Sequence, residues 1–223
     1  MSEDRKAISG LYAVTPELAD TESLLWMVSQ AISGGARLFQ YRNKSADRDC
    51  MLEQATALRK LTGEAGAQLI INDDFELALR VSADGVHLGR GDFAGQPVPG
   101  LISAIRQQAL ASGIPSFIVG ISCYDQLERA IAAENAGANY VAFGSFYPSA
   151  TKPDAVRANP ALIVKAKRQL SLPIVAIGGI TVQNAPELIA AGADALAVVT
   201  ALFNSEDIQS RASAFIALYA NHV

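Results

Sequence analysis

The stretch YDQLERAIAAENAGANYVAFGS, residues 124–145, contains the pattern that decides the fold. Its first part carries apolar residues at helical spacing, and its last part is a short run of β-branched, aromatic and small residues typical of a strand. The glycine of Ala-Gly-Ala at 136–138 lies between them, where a left-handed helix end is expected. Ala-Gly-Ala recurs at 65–67 and 191–193. The chain therefore repeats a unit in which a helix leads into a strand.

Short apolar runs alternate with longer segments of helical period along the whole chain. We predict strands at 11–15, 37–42, 68–72, 85–89, 117–122, 140–145, 173–178 and 195–200. Such alternation forms an open doubly wound sheet or a closed barrel, and eight units in 223 residues favour the barrel. No Pro/Ser-rich linker interrupts the pattern. We therefore expect an α/β protein with a single (β/α)8 TIM barrel domain over residues 1–223.

Composition and charge exclude several classes of protein. Half of the residues are apolar, yet no apolar run reaches the roughly 18 positions that a membrane helix needs. The net charge of −4 argues against a nucleic-acid surface. The N-terminal segment MSEDRKAISG is charged and lacks the apolar core of a secretory signal, so we expect a cytoplasmic protein. We expect small-molecule substrates, with neither a nucleic-acid nor a membrane partner.

The two cysteines do not form a recognisable motif. Cys50 and Cys123 have neither a redox nor a metal-finger spacing. We interpret both as buried free thiols.

In a barrel of this kind the reacting groups lie at the carboxyl ends of the strands. In LFQYRNK, residues 38–44, side-chain alternation places Gln40, Arg42 and Lys44 on the side opposite Phe39 and Tyr41. A buried charge must be paired, so an inward arginine predicts an anionic ligand. The alternative is that Arg42 and Lys44 have already left the strand for a solvated loop.

Acidic residues are predicted on the same rim. Asn72 and Asp73 end strand 3, and Asp92 lies in a Gly-rich loop after strand 4. Mg²⁺ is usually held by one or two carboxylates plus substrate oxygens, so Asp73 and Asp92 beside the cations predict a magnesium ion shared with phosphate. Two other interpretations stay open. Asp73-x-x-Glu76 also fits a helix capping box, and Asp in a turn often bonds its own backbone.

Strands 4 and 5 add two polar residues. His87 is expected to point into the barrel, where a single histidine is more often a hydrogen-bonded interior residue than a catalytic base, and we assign it no role. Ser122 ends strand 5 and is predicted to donate a hydrogen bond to an anion. We expect Asp125-x-x-Glu128 to cap the following helix.

The loops after strands 6, 7 and 8 supply the remaining candidates. In GSFYPSATKP, residues 144–153, Ser149 and Thr151 offer hydroxyls and Lys152 offers a point charge, a set suited to phosphate oxygens. The alternative is an ordinary surface loop. A phosphate site built after strands 7 and 8 recurs in this barrel class. The candidates for that site are Gly179, Val199 and Thr200.

Taken together, these residues resemble the thiamine-phosphate synthase family. The motifs that carry the resemblance are QYRNK, IINDD, ADGVHLGRGD, VGISCYD, GSFYPSATKPDA and IVAIGGITVQN, in the family's order and spacing. The resemblance implies a transferase, a thiamine-phosphate diphosphorylase that uses Mg²⁺. Such an enzyme joins hydroxymethylpyrimidine diphosphate to a thiazole phosphate, carboxylated or not, and releases diphosphate.

The resemblance also implies a role for each matching residue. The residues that match pyrimidine diphosphate ligands are Gln40, Arg42, Lys44, Asn72, Ser122 and Lys152. Those that match metal ligands are Asp73 and Asp92, and those that match thiazole phosphate ligands are Ser149, Thr151, Gly179, Val199 and Thr200. The implied chemistry is an SN1-like alkyl transfer without a general base. Arg42, Ser122 and Lys152 would be catalytic, because they stabilise the charge on the departing diphosphate together with Lys44 and Mg²⁺.

The chain departs from the family pattern at a few positions. Arg90 stands where the family often has glutamine, and Ser149 stands where it often has threonine, with the hydroxyl retained. Three other functions stay open at this point: a thiazole tautomerase, a phosphate-ligand binding protein without catalysis, and another phosphate-binding barrel such as a sugar-phosphate isomerase. The sequence makes no prediction of the oligomeric state.

Overall fold

The computed structural model describes residues 8–89, 98–148 and 157–220. Within these residues eight parallel strands follow one another around a closed barrel, and β8 pairs with β1 to complete it. The strands are β1 (Gly10–Val14), β2 (Leu38–Tyr41), β3 (Gln68–Asn72), β4 (Gly85–Leu88), β5 (Ile118–Tyr124), β6 (Tyr140–Phe143), β7 (Ile174–Ile177) and β8 (Ala195–Val198). The predicted TIM barrel is confirmed, while the domain bounds of 1–223 stay a prediction.

Helices surround the barrel between the strands. Those in the described residues are α1 (Thr21–Ser33), α2 (Arg48–Glu64), α3 (Phe75–Arg80), α4 (Val98–Ala111), α5 (Leu127–Asn135), α6 (Ala161–Lys167), α7 (Ala185–Ala190), α8 (Thr200–Phe203) and α9 (Ile208–Ala220). In the part of the chain that the structure describes, none of them is long and apolar enough to cross a membrane.

Alternation along each strand divides the buried side chains into two cores. On β2, Phe39 and Tyr41 join the large core between the barrel and its helices, whereas Leu38 and Gln40 point into the barrel. The interior is mostly apolar, and its fully buried members include Tyr12, Ile70, Tyr140 and Val175. The predicted orientation of strand 2 is confirmed, so the residue that follows Phe39 faces the axis of the barrel.

The three Ala-Gly-Ala segments form the left-handed helix ends that the sequence predicts. Gly66, Gly137 and Gly192 all have φ between 62° and 105°, and the N–H of each donates to a carbonyl in the last turn of the preceding helix. The alanine after each glycine donates to the carbonyl five residues before it, which completes a Schellman-type helix end. These helix ends turn the chain at once into β3, β6 and β8.

A polar clamp recurs at the face of the barrel where the strands begin. The residue just before β4, β6 and β8 accepts a hydrogen bond from a backbone N–H of the preceding strand, at 2.7–2.9 Å, and also pairs with a cation from a helix. The acceptors are Asp84, Asn139 and Asp194, the backbone donors are Leu69, Val119 and Ile174, and the cations are Arg59, Arg106 and Lys167. Because each clamp ties two strands and a helix together, this face serves stability.

We predict that Asp194→Ala lowers the free energy of unfolding by about 1–3 kcal/mol, because the buried N–H of Ile174 loses its acceptor. Lys167→Ala removes only the partly exposed ion pair and is expected to cost less than about 1 kcal/mol. Urea unfolding of the two variants measures the difference. Equal losses would show that the ion pair, not the hydrogen bond to the strand, is the stabilising part of the clamp.

Candidate active site

The predicted rim residues after β2 are held by ion pairs. Arg42 directly follows β2, and its guanidinium binds the carboxylate of Glu17 from the loop after β1. The backbone N–H of Arg42 donates to Thr15 Oγ1 at 2.9 Å, which ties the ends of the first two strands together. Both cations lie beyond the end of β2, and the solvated-loop interpretation holds for Lys44, whose side chain is 55% exposed, but not for Arg42, whose side chain is 19% exposed.

Lys44 and Asp73 meet on the same rim. Lys44 Nζ lies 2.6 Å from Asp73 Oδ2, which joins the loop after β2 to the end of β3. Asp73 has φ of 64°, and its N–H donates to the carbonyl of His87 at 2.8 Å. A non-glycine residue in this left-handed region is uncommon and clusters at functional sites. With this backbone conformation the Asp73 carboxylate lies against Lys44.

The capping interpretation of Asp73 is wrong by one residue. Asp74 is the N-cap of α3, and its Oδ1 accepts from Leu77 N at 2.9 Å. Asp73 precedes the cap, and its carboxylate pairs with Lys44. The predicted cap of the next helix by Asp125 is also wrong. α5 begins after Gln126, and the side chain of Gln126 makes no capping hydrogen bond.

A pocket of about 280 Å³ opens beside the Lys44–Asp73 pair. Its lining comes from the ends of β2 and β3, the loops that follow them, and α2: Tyr41, Asn43, Lys44, Met51, Asn72, Asp73 and Asp74. Asn43 is almost fully buried, and its amide donates to the carbonyl of Leu18 at 2.7 Å and to Gln54 Oε1 at 3.1 Å. These hydrogen bonds fix the backbone next to Lys44 and so restrict the position of its side chain.

A chain of hydrogen bonds crosses the interior of the barrel below the rim. Ser122 Oγ lies 2.8 Å from His87 Nε2, and His87 Nδ1 lies 2.9 Å from Tyr140 Oη. Tyr140 Oη lies 2.8 Å from Tyr12 Oη, which accepts from Gln40 Nε2 at 2.9 Å. Side chains from five different strands are therefore linked in one line, from Gln40 on β2 to Ser122 on β5.

Packing fixes the rings of this chain. His87 stacks on Tyr140 with 5.5 Å between ring centroids, and Tyr12 meets Tyr140 edge-on. The Tyr140 ring occupies the space beside Gly120, where an added Cβ would lie 2.0 Å from Cζ of the tyrosine. Sequence reasoning left His87 without a role and did not consider Tyr12 or Tyr140. The signal was present, because both tyrosines lie on the inward phase of their strands.

The end of β5 holds Ser122 in place. The register of β5 shifts between Ser122 and Tyr124, and Tyr124 has φ of 57°. Arg129 of α5 lies over the Tyr124 ring, and its Nε donates to the backbone carbonyl of Ser122 at 2.8 Å.

The two cysteines are free thiols in different surroundings. Cys123, between Ser122 and Tyr124, is buried, and this burial raises the pKa of its thiol to about 12, so it is not a nucleophile at neutral pH. Cys50 is a free thiol as predicted but is only partly buried.

The candidates after β7 and β8 lie side by side, since these strands are paired. Gly178 and Gly179 have φ of 104° and 64°, and Asn184 Nδ2 donates to the carbonyl of Gly179 at 3.0 Å. The predicted strand 8, residues 195–200, extends two residues beyond the strand in the structure. β8 ends at Val198, Val199 is the N-cap of α8, and Thr200 is the first residue of that short helix.

Four predicted site residues lie outside the described residues: Asp92, Ser149, Thr151 and Lys152. The loop that leads to 149–152 is described as far as Pro148. Tyr147 donates a backbone hydrogen bond to Gly178 O at 3.0 Å, and its hydroxyl donates to Glu187 Oε2 at 2.7 Å. Burial and the bond to Glu187 raise the pKa of Tyr147 to about 12. The start of this loop is therefore fastened beside the end of β7.

Within the described ranges no three His, Cys, Asp or Glu side chains come together as a metal site. Asp73 and Asp74 both line the pocket, but Asp74 already caps α3. A hard cation would need oxygen ligands beyond Asp73, either from the substrate or from Asp92, which lies outside these ranges.

Comparisons with known proteins identify the family. The model of the thiamine monophosphate synthase family matches residues 11–202. The chain belongs to this family. The thiamine-phosphate synthase of Thiobacillus denitrificans is 49% identical to it over 95% of each chain. The thiamine-phosphate synthase of Azoarcus sp. is also 49% identical, over 96% of this chain and 98% of the relative.

A solved structure of a family member has the same fold. The thiamine phosphate pyrophosphorylase of Pyrococcus furiosus matches with a TM-score of 0.81 and 32% sequence identity, over 99% of this chain and 98% of that one. The family resemblance that the sequence motifs indicate is confirmed.

We predict that Gly179→Ala abolishes most of the affinity for a phosphate ligand at the ends of β7 and β8. The added Cβ would lie 2.3 Å from the carbonyl oxygen of Pro148, and φ at this position is 64°. The loop after β6 must therefore move away. Titration with inorganic phosphate, followed by calorimetry, measures the loss, and Gly63→Ala is the matched control because it lies inside α2 with its nearest neighbour 3.9 Å away.

Proposed function

We propose that this chain joins hydroxymethylpyrimidine diphosphate to a thiazole phosphate and releases diphosphate, forming thiamine phosphate. Family membership over residues 11–202 supports this activity. The observation that carries it is that Arg42 and Lys44 lie at the carboxyl end of β2, where Arg42 pairs with Glu17 and Lys44 pairs with Asp73 at the end of β3. Two cations on one rim, next to the carboxylates of Glu17 and Asp73, suit a ligand of high negative charge that binds together with a metal ion.

The reaction breaks the bond between the exocyclic methylene of the pyrimidine and an oxygen of diphosphate. Both electrons of that bond leave with the diphosphate, and the lone pair of the thiazole nitrogen forms the new carbon–nitrogen bond. Negative charge therefore grows on the departing group in the transition state. Donors placed toward it stabilise the transition state more than the bound substrate. Arg42, Lys44, Ser122 and Lys152 have this role in the proposal.

The pyrimidine diphosphate lies against the ends of β2, β3 and β5 in this proposal. Gln40 and Asn72 bind this substrate from the inward phase of β2 and the end of β3. In this proposal the thiazole phosphate is bound after β7 and β8 by Gly179, Val199 and Thr200, together with Ser149 and Thr151, which lie outside the described residues. The two anions bind at separate parts of the mouth in this proposal, and the reacting methylene and nitrogen meet between them.

Asp73 and Asp92 would hold Mg²⁺. The carboxylate of Asp73 fits a hard cation, because it lies on the rim and the helix N-terminus is already capped by Asp74. When bound, the ion would neutralise charge on the diphosphate oxygens. Lys44, which pairs with Asp73, would bind the same oxygens in this proposal.

No residue has to remove a proton from the thiazole nitrogen, because that nitrogen attacks through a lone pair. The interior of the site agrees with this requirement. Burial keeps the Cys123 thiol protonated, and the hydroxyls of Tyr12 and Tyr140 have pKa values raised by burial. These groups hold their protons at neutral pH.

The direct test mixes both precursors with the protein and measures diphosphate release, with and without Mg²⁺. Each substrate is also supplied alone. Release that requires both precursors and Mg²⁺ supports the proposal. Conversion of a thiazole phosphate without the pyrimidine would show a tautomerase instead, and binding of both precursors without release would show a binding protein.

We predict that Arg42→Ala lowers kcat by about 10²- to 10³-fold, because a preorganised donor to the departing diphosphate is lost. Arg80→Ala is the matched control, since Arg80 is an exposed arginine at the end of α3, on the opposite face of the barrel. Steady-state rates at saturating substrates give the comparison. Turnover of the Arg42 variant within about twofold of the Arg80 variant would remove Arg42 from the catalytic groups.

A further inference from the structure

The hydrogen-bond chain in the barrel has a direction, because it begins at a group that only donates. Gln40 Nε2 donates to Tyr12 Oη at 2.9 Å. A tyrosine hydroxyl has one proton and two lone pairs, so Tyr12 can still pass its own proton to Tyr140, 2.8 Å away. Tyr140 in turn lies 2.9 Å from His87 Nδ1. Each member can thus accept from one neighbour and donate to the next.

The opposite direction leaves a buried proton without an acceptor. If Tyr140 donated to Tyr12, the proton of Tyr12 would have to find another acceptor. Among the described residues Tyr12 Oη is hydrogen-bonded to Gln40 and Tyr140, and its side chain is 1% exposed. An unsatisfied buried donor is costly. Burial also raises the pKa of both tyrosines, so neither hydroxyl loses its proton at neutral pH.

This direction fixes the proton on the histidine. Tyr140 donates to Nδ1, so Nδ1 is the unprotonated nitrogen of the neutral ring. Nε2 then carries the proton and donates to Ser122 Oγ, 2.8 Å away. The oxygen of Ser122 accepts this bond, and its own hydroxyl proton is left to point away from the histidine.

We propose that His87 is a positioning residue: held as the Nε2–H tautomer by Tyr12 and Tyr140, it turns the Ser122 hydroxyl proton toward the departing diphosphate. The inference rests on the proposed function for the identity of the anion. With the opposite tautomer, Ser122 would donate to His87 and present only lone pairs to an anion. A hydroxyl that donates to an anion makes a charge-assisted bond, so the tautomer decides whether Ser122 helps or opposes binding.

Nitrogen-15 NMR tests the tautomer without any substrate. The chain has only two histidines, so a His222→Gln sample leaves His87 as the single imidazole. Spectra are recorded at rising pH until the ring shifts stop changing, which defines the neutral ring. We expect Nε2 to carry the proton. A proton on Nδ1 would show that the hydrogen-bond chain runs the other way and would overturn the proposal.

Two amide substitutions test the role in catalysis. The amide nitrogen of Gln in His87→Gln reaches the place of Nε2 and can still donate to Ser122, whereas that of Asn in His87→Asn reaches only the place of Nδ1. We expect His87→Asn to lower kcat by about tenfold to 10²-fold, in the direction of Ser122→Ala, with little change in KM for the pyrimidine diphosphate. His87→Gln should recover most of that loss.

Thermal unfolding of the two His87 variants separates positioning from stability. Equal kcat values for His87→Asn and His87→Gln, at equal stability, would overturn the proposal. A change in KM with an unchanged kcat in His87→Asn would overturn it as well. If the wild type released no diphosphate, the proposed function would be wrong, and diphosphate would not be the anion that Ser122 faces. The NMR result would be unaffected, so the two failures are distinguishable.

Discussion

Closure of the sheet is the constraint on which the rest of the molecule depends. β1 pairs with β8 in parallel register from Gly10 opposite Ala195 to Ala13 opposite Val198. Because the barrel is closed, the strands have no edge, and all their carboxyl ends meet around one mouth. Residues far apart in the chain, such as Arg42 and Thr200, therefore lie on one rim. The opposite face is left to the clamps of Asp84, Asn139 and Asp194, which bind strand to strand.

The interior of the barrel combines an apolar core with one polar line. Most inward side chains are aliphatic or small, which fills the barrel without polar groups. The line from Gln40 through Tyr12, Tyr140 and His87 is tolerated there because each member is hydrogen-bonded to the next. A fully satisfied polar network rigidifies its surroundings. Ser122 at its upper end is thereby connected to the rigid centre of the barrel, not to a loop alone.

The sequence predicts most of the fold because its periodicities are local and strong. All eight predicted strands are present, and the errors lie at their ends, as at β8, where Val199 leaves the strand and caps α8. Strand ends are set by tertiary contacts that a window of sequence does not contain. The same limit explains the cap at Asp74: adjacent aspartates give the same local signal, and only the turn of Asp73 at φ of 64° decides between them.

The alternation of side chains along a strand predicts which residues of the candidate site point into the barrel, but not which of them touch. Gln40 on the inward phase of β2 and the cations that follow it are found by alternation alone. The link between His87 and Ser122 is not, since it depends on how strands 4 and 5 are staggered and on the space that Gly120 leaves for Tyr140. Such contacts join residues that are distant in sequence, and a single chain carries no direct signal for them.

Arg42 and Lys44 are each paired with a carboxylate, and in the proposed reaction this limits how tightly they can hold the diphosphate. Arg42 is mostly buried, and a buried unpaired charge is costly, so Glu17 compensates it. Asp73 does the same for the more exposed Lys44. In the proposed reaction, an incoming diphosphate therefore gains only the difference in free energy between its own ion pairs with Arg42 and Lys44 and those of Glu17 and Asp73. A modest gain in the ground state leaves room for stronger interactions as charge develops on the leaving oxygen, which is the condition for catalysis and for later release of the product.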